Sequence, residues 1–132
     1  MIFEPEFLTL DDVLDLHEMQ LKRYGGADGI RELKLLESAV MTPQASFGGE
    51  YVHTDLFEMA AAYVFHIAEN QPFVDGNKRT ALASGLVFLE INSIELVDAD
   101  GVLYQAMIDV SAKKLDKAGL GKLLKKLTVN PE

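Results

Sequence analysis

Two long apolar segments separated by only six residues constrain this chain more than any other feature. The first follows Asp55-Leu-Phe-Glu58, which resembles a capping box, and runs Ala-rich to about Asn70 with apolar residues on nearly every side. That is the pattern of a central, buried helix. Pro72 and Gly76 interrupt the chain, and a second mostly apolar helix is expected from Asn77 to about Ile91. Its Ala81, Ala83, Ser84 and Gly85 are small enough to let a neighbouring helix approach closely. A helix-interior glycine costs ~1 kcal/mol against alanine, and close packing is the natural compensation at Gly85.

The rest of the chain supplies the cover. Thr9 reads as an N-cap with Asp12 at N3, and apolar residues recur at helical spacing from Leu10 until Gly25-Gly26, predicting a helix over about 10–24. A shorter one is expected from Ile30 to Met41. Asp98 can cap a helix reaching about Lys114, and Asp116 one reaching about Leu127. Between Thr42 and Tyr51, Pro43, Gly48 and Gly49 forbid a continuing helix, while Phe47 and Tyr51 are large apolar groups in a segment that otherwise reads as exposed. This predicts a loop or small flap. The expectation is an all-α bundle, one domain over residues 1–132, with a hairpin-like flap near 43–51.

Composition limits the partners. The chain has no cysteine, which removes disulfides and thiolate chemistry and suits a reducing cytosol. A formal charge of −9 opposes a polyanionic ligand, so direct nucleic-acid binding is not expected. Residues 113–132 hold six lysines against two acids, most simply a solvated helix face. No apolar run has membrane-spanning length, and Met-Ile-Phe-Glu-Pro-Glu has acids where a signal peptide needs a basic flank, so a cytoplasmic location without membrane attachment is expected.

The chemistry lies in the interruption, Gln71-Pro72-Phe73-Val74-Asp75-Gly76-Asn77-Lys78-Arg79-Thr80. Gly76 lets the backbone turn, and the helix that follows opens with N–H groups that have no intrahelical acceptor. Lys78 and Arg79 in that first turn oppose the helix dipole, which is unfavourable for structure alone and favourable for holding phosphate. Arg79 can grip phosphoryl oxygens in pairs, Lys78 acts as a point charge, and Asp75 offers the single carboxylate that commonly holds Mg²⁺ beside a nucleotide. Phe73 is expected to anchor the loop in the core. The competing reading is a polar turn in which Asp75 caps the next helix and Arg79 meets a surface acid.

From Pro72 through Arg79, continuing into Thr80-Ala81-Leu82, the loop resembles the motif of the Fic/Doc family, specifically the Doc (death on curing) branch. Phe7-Leu8-Thr9-Leu10-Asp11-Asp12-Val13, Gly25-Gly26, Leu35-Leu36-Glu37-Ser38-Ala39 and Thr42 to Gly49 resemble that branch in the same order. The resemblance implies a Fic-fold bundle and transfer of a nucleotide-derived phosphate group to a protein hydroxyl. Most members transfer AMP, whereas Doc-branch members with Lys where Lys78 stands turn the nucleotide around and transfer its terminal phosphate. By position, Asp75 would hold Mg²⁺, Gly76 and Asn77 would cradle the phosphates of ATP, and Lys78 and Arg79 would neutralise the transferring group. The flap, including Gln44, Ala45, Ser46, Phe47 and Gly48, would align the target by strand-like pairing. The implied target is elongation factor Tu or another translation factor. The implied partner is a Phd-like antitoxin whose carboxyl-terminal segment covers the cleft.

The family motif begins with a histidine acting as general base, and this chain has Gln71 there. A carboxamide cannot accept the hydroxyl proton near neutral pH, and such assistance is worth about 10²–10⁴-fold. A weakened Doc-like kinase is therefore expected, with AMP transfer or a non-catalytic nucleotide- or antitoxin-binding role as alternatives. The Gln fits either a deliberate substitution or a natural change. His66 would point about 140° away from position 71 on a continued helix. His66 and His17 read as packed or capped helix histidines, His53 as exposed near the flap, and Glu69 as solvated.

Overall fold

The computed structural model describes residues 3–129, so Met1 and Ile2 of the amino-terminal stretch and 130–132 at the end of the lysine-rich segment lie outside it. Six helices are found among the described residues: α1 Leu10–Tyr24, α2 Leu33–Met41, α3 Leu56–Asn70, α4 Asn77–Ile91, α5 Val102–Ser111 and α6 Lys117–Lys126. A two-stranded hairpin, β1 Ser46–Phe47 and β2 Glu50–Tyr51, lies between α2 and α3 in antiparallel register. The mainly helical architecture with a small flap is as expected.

At the centre of the bundle, α3 packs against α4, α6 and α2. Met59, Ala60, Ala61, Ala62, Tyr63, Val64 and Ile67 are all buried, which explains why no polar face was visible in its sequence. Its N-cap Asp55 accepts from Glu58 N at 2.8 Å, while Glu58 reaches back to the N–H and hydroxyl of Thr54 rather than closing a reciprocal box. Thr9 and Asp12 do form a full capping box on α1. Gly85 lets α4 approach α3: a Cβ there would collide with the Val64 side chain and sit 3.1 Å from the Ala60 carbonyl oxygen.

Two helices differ from expectation in their bounds. The second helix begins at Leu33 rather than Ile30, because Ile30 forms an antiparallel bridge with Phe73 and the Arg31 and Glu32 N–H groups both donate to the Pro72 carbonyl. The fifth is shorter at both ends. Asp100 and Gly101 take left-handed φ values of 65° and 69° before α5, and Lys113 takes 63° after it. Asp98 still serves the N-terminus, accepting from Leu103 N at 3.0 Å. In the hairpin, Gly48 and Gly49 both have positive φ, the pairing that a tight two-residue turn requires.

Candidate active site

The loop between α3 and α4 is built against the segment that follows α1. Gln71 ends α3 in the left-handed region (φ 45°, ψ 56°) and is exposed. Its carbonyl accepts from Arg31 Nε at 2.8 Å, and Arg31 Nη2 donates to the Asn70 carbonyl at 2.9 Å. One guanidinium thus satisfies two carbonyls that a helix end leaves without partners. Val74 N donates to Gly29 O at 3.0 Å, completing a short ledge of backbone pairing. Phe73 is 1% exposed and lies parallel to the His17 ring, centroids 3.7 Å apart. It anchors the loop as expected.

Asp75 is held three ways. Its carboxylate accepts from Gly76 N at 2.8 Å and from Ala27 N at 3.2 Å, and its carbonyl accepts from His17 Nε2 at 2.8 Å. The hydrogen bonds from Ala27 and Gly76 hold the carboxyl below the usual carboxylate range. Gly76 is the N-cap of α4 with φ 77°, and with no capping side chain it leaves the opening N–H groups of Asn77, Lys78 and Arg79 available. The Asn77 side chain closes the loop instead, accepting from Phe73 N and donating to Phe73 O. Any contact from Asn77 to an anion would therefore run mainly through its backbone N–H.

Lys78 and Arg79 are exposed and line a groove of about 660 Å³ shared with Gln20, Tyr24, Tyr104 and Met107. Among the described residues Arg79 forms no salt bridge, although its charge helps to lower Asp75; its guanidinium lies over the Tyr24 ring, 4.6 Å from the centroid. In the flap, Gln44 lines a different cavity with Phe7 and Met41, and Phe47 is 86% exposed at the hairpin.

A family model described as the Fic/DOC family matches residues 7–89. The chain belongs to the Fic/Doc family. Relatives include the protein kinase doc of Escherichia phage P1, 37% identical over 92 residues covering 70% of this chain and 72% of that protein. Toxin Doc of Mycolicibacterium smegmatis is 40% identical over 91 residues, 69% of this chain and 68% of that protein.

In this Fic/Doc chain each of the three histidines is engaged in contacts of its own. His17 is committed to Asp75 and Phe73. His53 is not exposed, as its position beside the flap suggested, but 6% accessible, because Lys117 from α6 reaches into the same pocket. The Lys117 ammonium lies 3.1 Å from Nε2 of both His53 and His66, donating to two imidazoles and leaving each ring hydrogen on Nδ1. Burial, reinforced by that ammonium, pushes His66 down to about 4 and lowers His53. The lysine-rich segment is accordingly not all solvated face, since Lys117 enters this cluster; Lys113 stays exposed and pairs with the exposed Glu69 at 2.7 Å.

Among the described residues no helix is long and apolar enough to cross a membrane, and no group of three or more His, Cys, Asp and Glu could hold a metal by itself. The Asp75 carboxylate, exposed and oriented by two backbone N–H groups, would suit Mg²⁺ carried by a nucleotide, for which one or two protein carboxylates suffice. Sequence reasoning missed Arg31, Tyr24, His17 and Ala27 as supports of the loop. Of these only the Gly25-Gly26 break beside Ala27 left a local signal.

Proposed function

We propose that the chain is a Doc-like toxin of a toxin–antitoxin module, transferring the terminal phosphate of ATP to a Ser or Thr hydroxyl of a translation factor, elongation factor Tu by resemblance, and strongly slowed by Gln71. One observation carries the phosphate-transfer reading: two cations stand at an uncapped helix N-terminus, immediately after a carboxylate held ionised by two backbone N–H groups. Structural logic puts acids at such a terminus, and phosphate logic puts cations there. Lys78, Arg79 and the open N–H groups of α4 would bind and neutralise the phosphates, and Asp75 would hold Mg²⁺. When bound with the nucleotide, Mg²⁺ would supply further charge neutralisation.

In the transfer, the target oxygen bonds to the terminal phosphorus, the bond from that phosphorus to the bridging oxygen breaks, and ADP leaves. The hydroxyl proton must go to water, since Gln71 cannot accept it. Because phosphoryl transfer depends largely on positioning and charge neutralisation, activity falls without vanishing. An antitoxin partner of the Phd type would cover the groove beside Lys78 and Arg79.

A second reading, a non-catalytic nucleotide- or antitoxin-binding protein, is favoured by the commitment of all three histidines to other contacts. Incubating wild type and Gln71→His with ATP, Mg²⁺ and elongation factor Tu separates the two by intact mass. A phosphate adduct accelerated about 10²–10⁴-fold in the variant supports the kinase. An AMP adduct would reassign the transferred group, and no adduct on any translation factor would favour the binding protein.

A further inference from the structure

The support beneath Asp75 is more elaborate than an exposed interhelix turn requires. His17, on α1, is 4% accessible, and its Nε2–H donates to the Asp75 carbonyl from 58 residues away in sequence. The same ring lies flat on Phe73, with 5° between the planes, and a Cβ on Gly76 would sit 3.6 Å from its Cδ2. One imidazole therefore touches two residues of the loop, Phe73 and Asp75, and lies beside the open face of Gly76. A phenyl ring would fill this space as well and stack as well. What only the imidazole supplies is the hydrogen bond that fixes the Asp75 peptide plane, and with it the direction in which the carboxylate leaves the backbone.

We propose that His17 is a positioning residue that orients the Asp75 carboxylate through the Asp75 carbonyl; its consequence for Mg²⁺ rests on the reading of Asp75 given above. The effect is that of the outer groups around metal ligands, whose loss typically costs about 10–100-fold in metal affinity or activity. Two variants separate the hydrogen bond from the packing. His17→Phe keeps the ring and loses the donor. His17→Gln loses the ring but places an amide nitrogen the same number of bonds from Cβ as Nε2.

The first measurement needs no ligand: amide hydrogen exchange of Ala27, whose N–H is bound by the Asp75 carboxylate, with the Ala61 amide of buried α3 as the control for folding. Loss of protection at Ala27 in His17→Phe, its retention in His17→Gln and an unchanged Ala61 are expected. Unchanged Ala27 protection in His17→Phe overturns the proposal. The second measurement is ATP affinity with and without Mg²⁺. The Mg²⁺-dependent gain should fall about 10-fold or more in His17→Phe and return in His17→Gln, with Mg²⁺-free affinity unaltered. A full gain in His17→Phe overturns the role toward Mg²⁺. If wild type itself shows no gain, Asp75 is not a magnesium ligand, and the exchange result alone decides whether His17 orients it.

Discussion

Gly26 and Asp75 share a space that only a glycine leaves open: a Cβ on Gly26 would lie 2.8 Å from Asp75 Oδ2, and Gly26 has a φ of 122° that side chains rarely adopt. The glycine after α1 therefore admits the carboxylate of a loop 49 residues later. Gly26→Ala should strain the backbone and push Asp75 off Ala27, costing about 1–3 kcal/mol of stability. A thermal melt lowered by several degrees checks the first effect. Weaker Mg²⁺-dependent ATP binding checks the second.

Arg79 is held over Tyr24 by a cation–π contact worth about 0.5–1 kcal/mol at an exposed site. Tyr24→Leu should free the guanidinium and weaken ATP binding about 2–5-fold. Arg79→Ala should weaken it about 10-fold or more, as loss of a hydrogen bond to a charged group would. Calorimetric titration reads both, and equal affinity in Arg79→Ala and wild type would remove Arg79 from the site.

Gly85→Ala tests the contact that brings α3 and α4 together. Helix propensity alone favours alanine by ~1 kcal/mol, whereas the new methyl meets Val64 and the Ala60 carbonyl. Overpacking should win, with a net loss of about 1–3 kcal/mol in urea unfolding. A gain in stability would mean that the two helices can separate at little cost.

The two imidazoles around Lys117 make stability depend on pH. His66 is lowered from 6.5 to about 4, so the unfolded chain takes up its proton at a higher pH than the folded one. Its contribution is complete above about pH 6.5 and is lost as pH falls toward 4, with His53 shifting in the same direction. Allowing for solvent screening of a partly exposed ring, His66 should account for about 1–2 kcal/mol of that loss. Urea unfolding between pH 7.5 and 4.5 in wild type and His66→Gln reads the difference; parallel curves would show that the cluster tolerates the proton.

The helices were legible where periodicity and caps agree, as in α1 with Thr9 and Asp12 and in α3 with Asp55. The loop between α3 and α4 stands out as the candidate site because Lys78 and Arg79 violate helix-dipole preference and match a specific motif. What local patterns could not carry was long-range engagement. Ile30 looks helical until Phe73 claims it as a bridge partner, and His53 looks exposed until Lys117 arrives from 64 residues away. Arg31 gives no sequence sign that it will cap α3, because the carbonyls it serves belong to another part of the chain.

The ledge of pairing between residues 29–32 and 72–74, with Arg31 on the α3 carbonyls and His17 beneath Asp75, has a consequence for transplantation. Copying Pro72 through Arg79 into the bend of another helical hairpin would carry over the lettering of the motif without its scaffold. A graft that keeps its shape must also bring the end of the first helix and the turn after it. The heritable unit is a pair of distant segments, and a mutational scan should find them failing together.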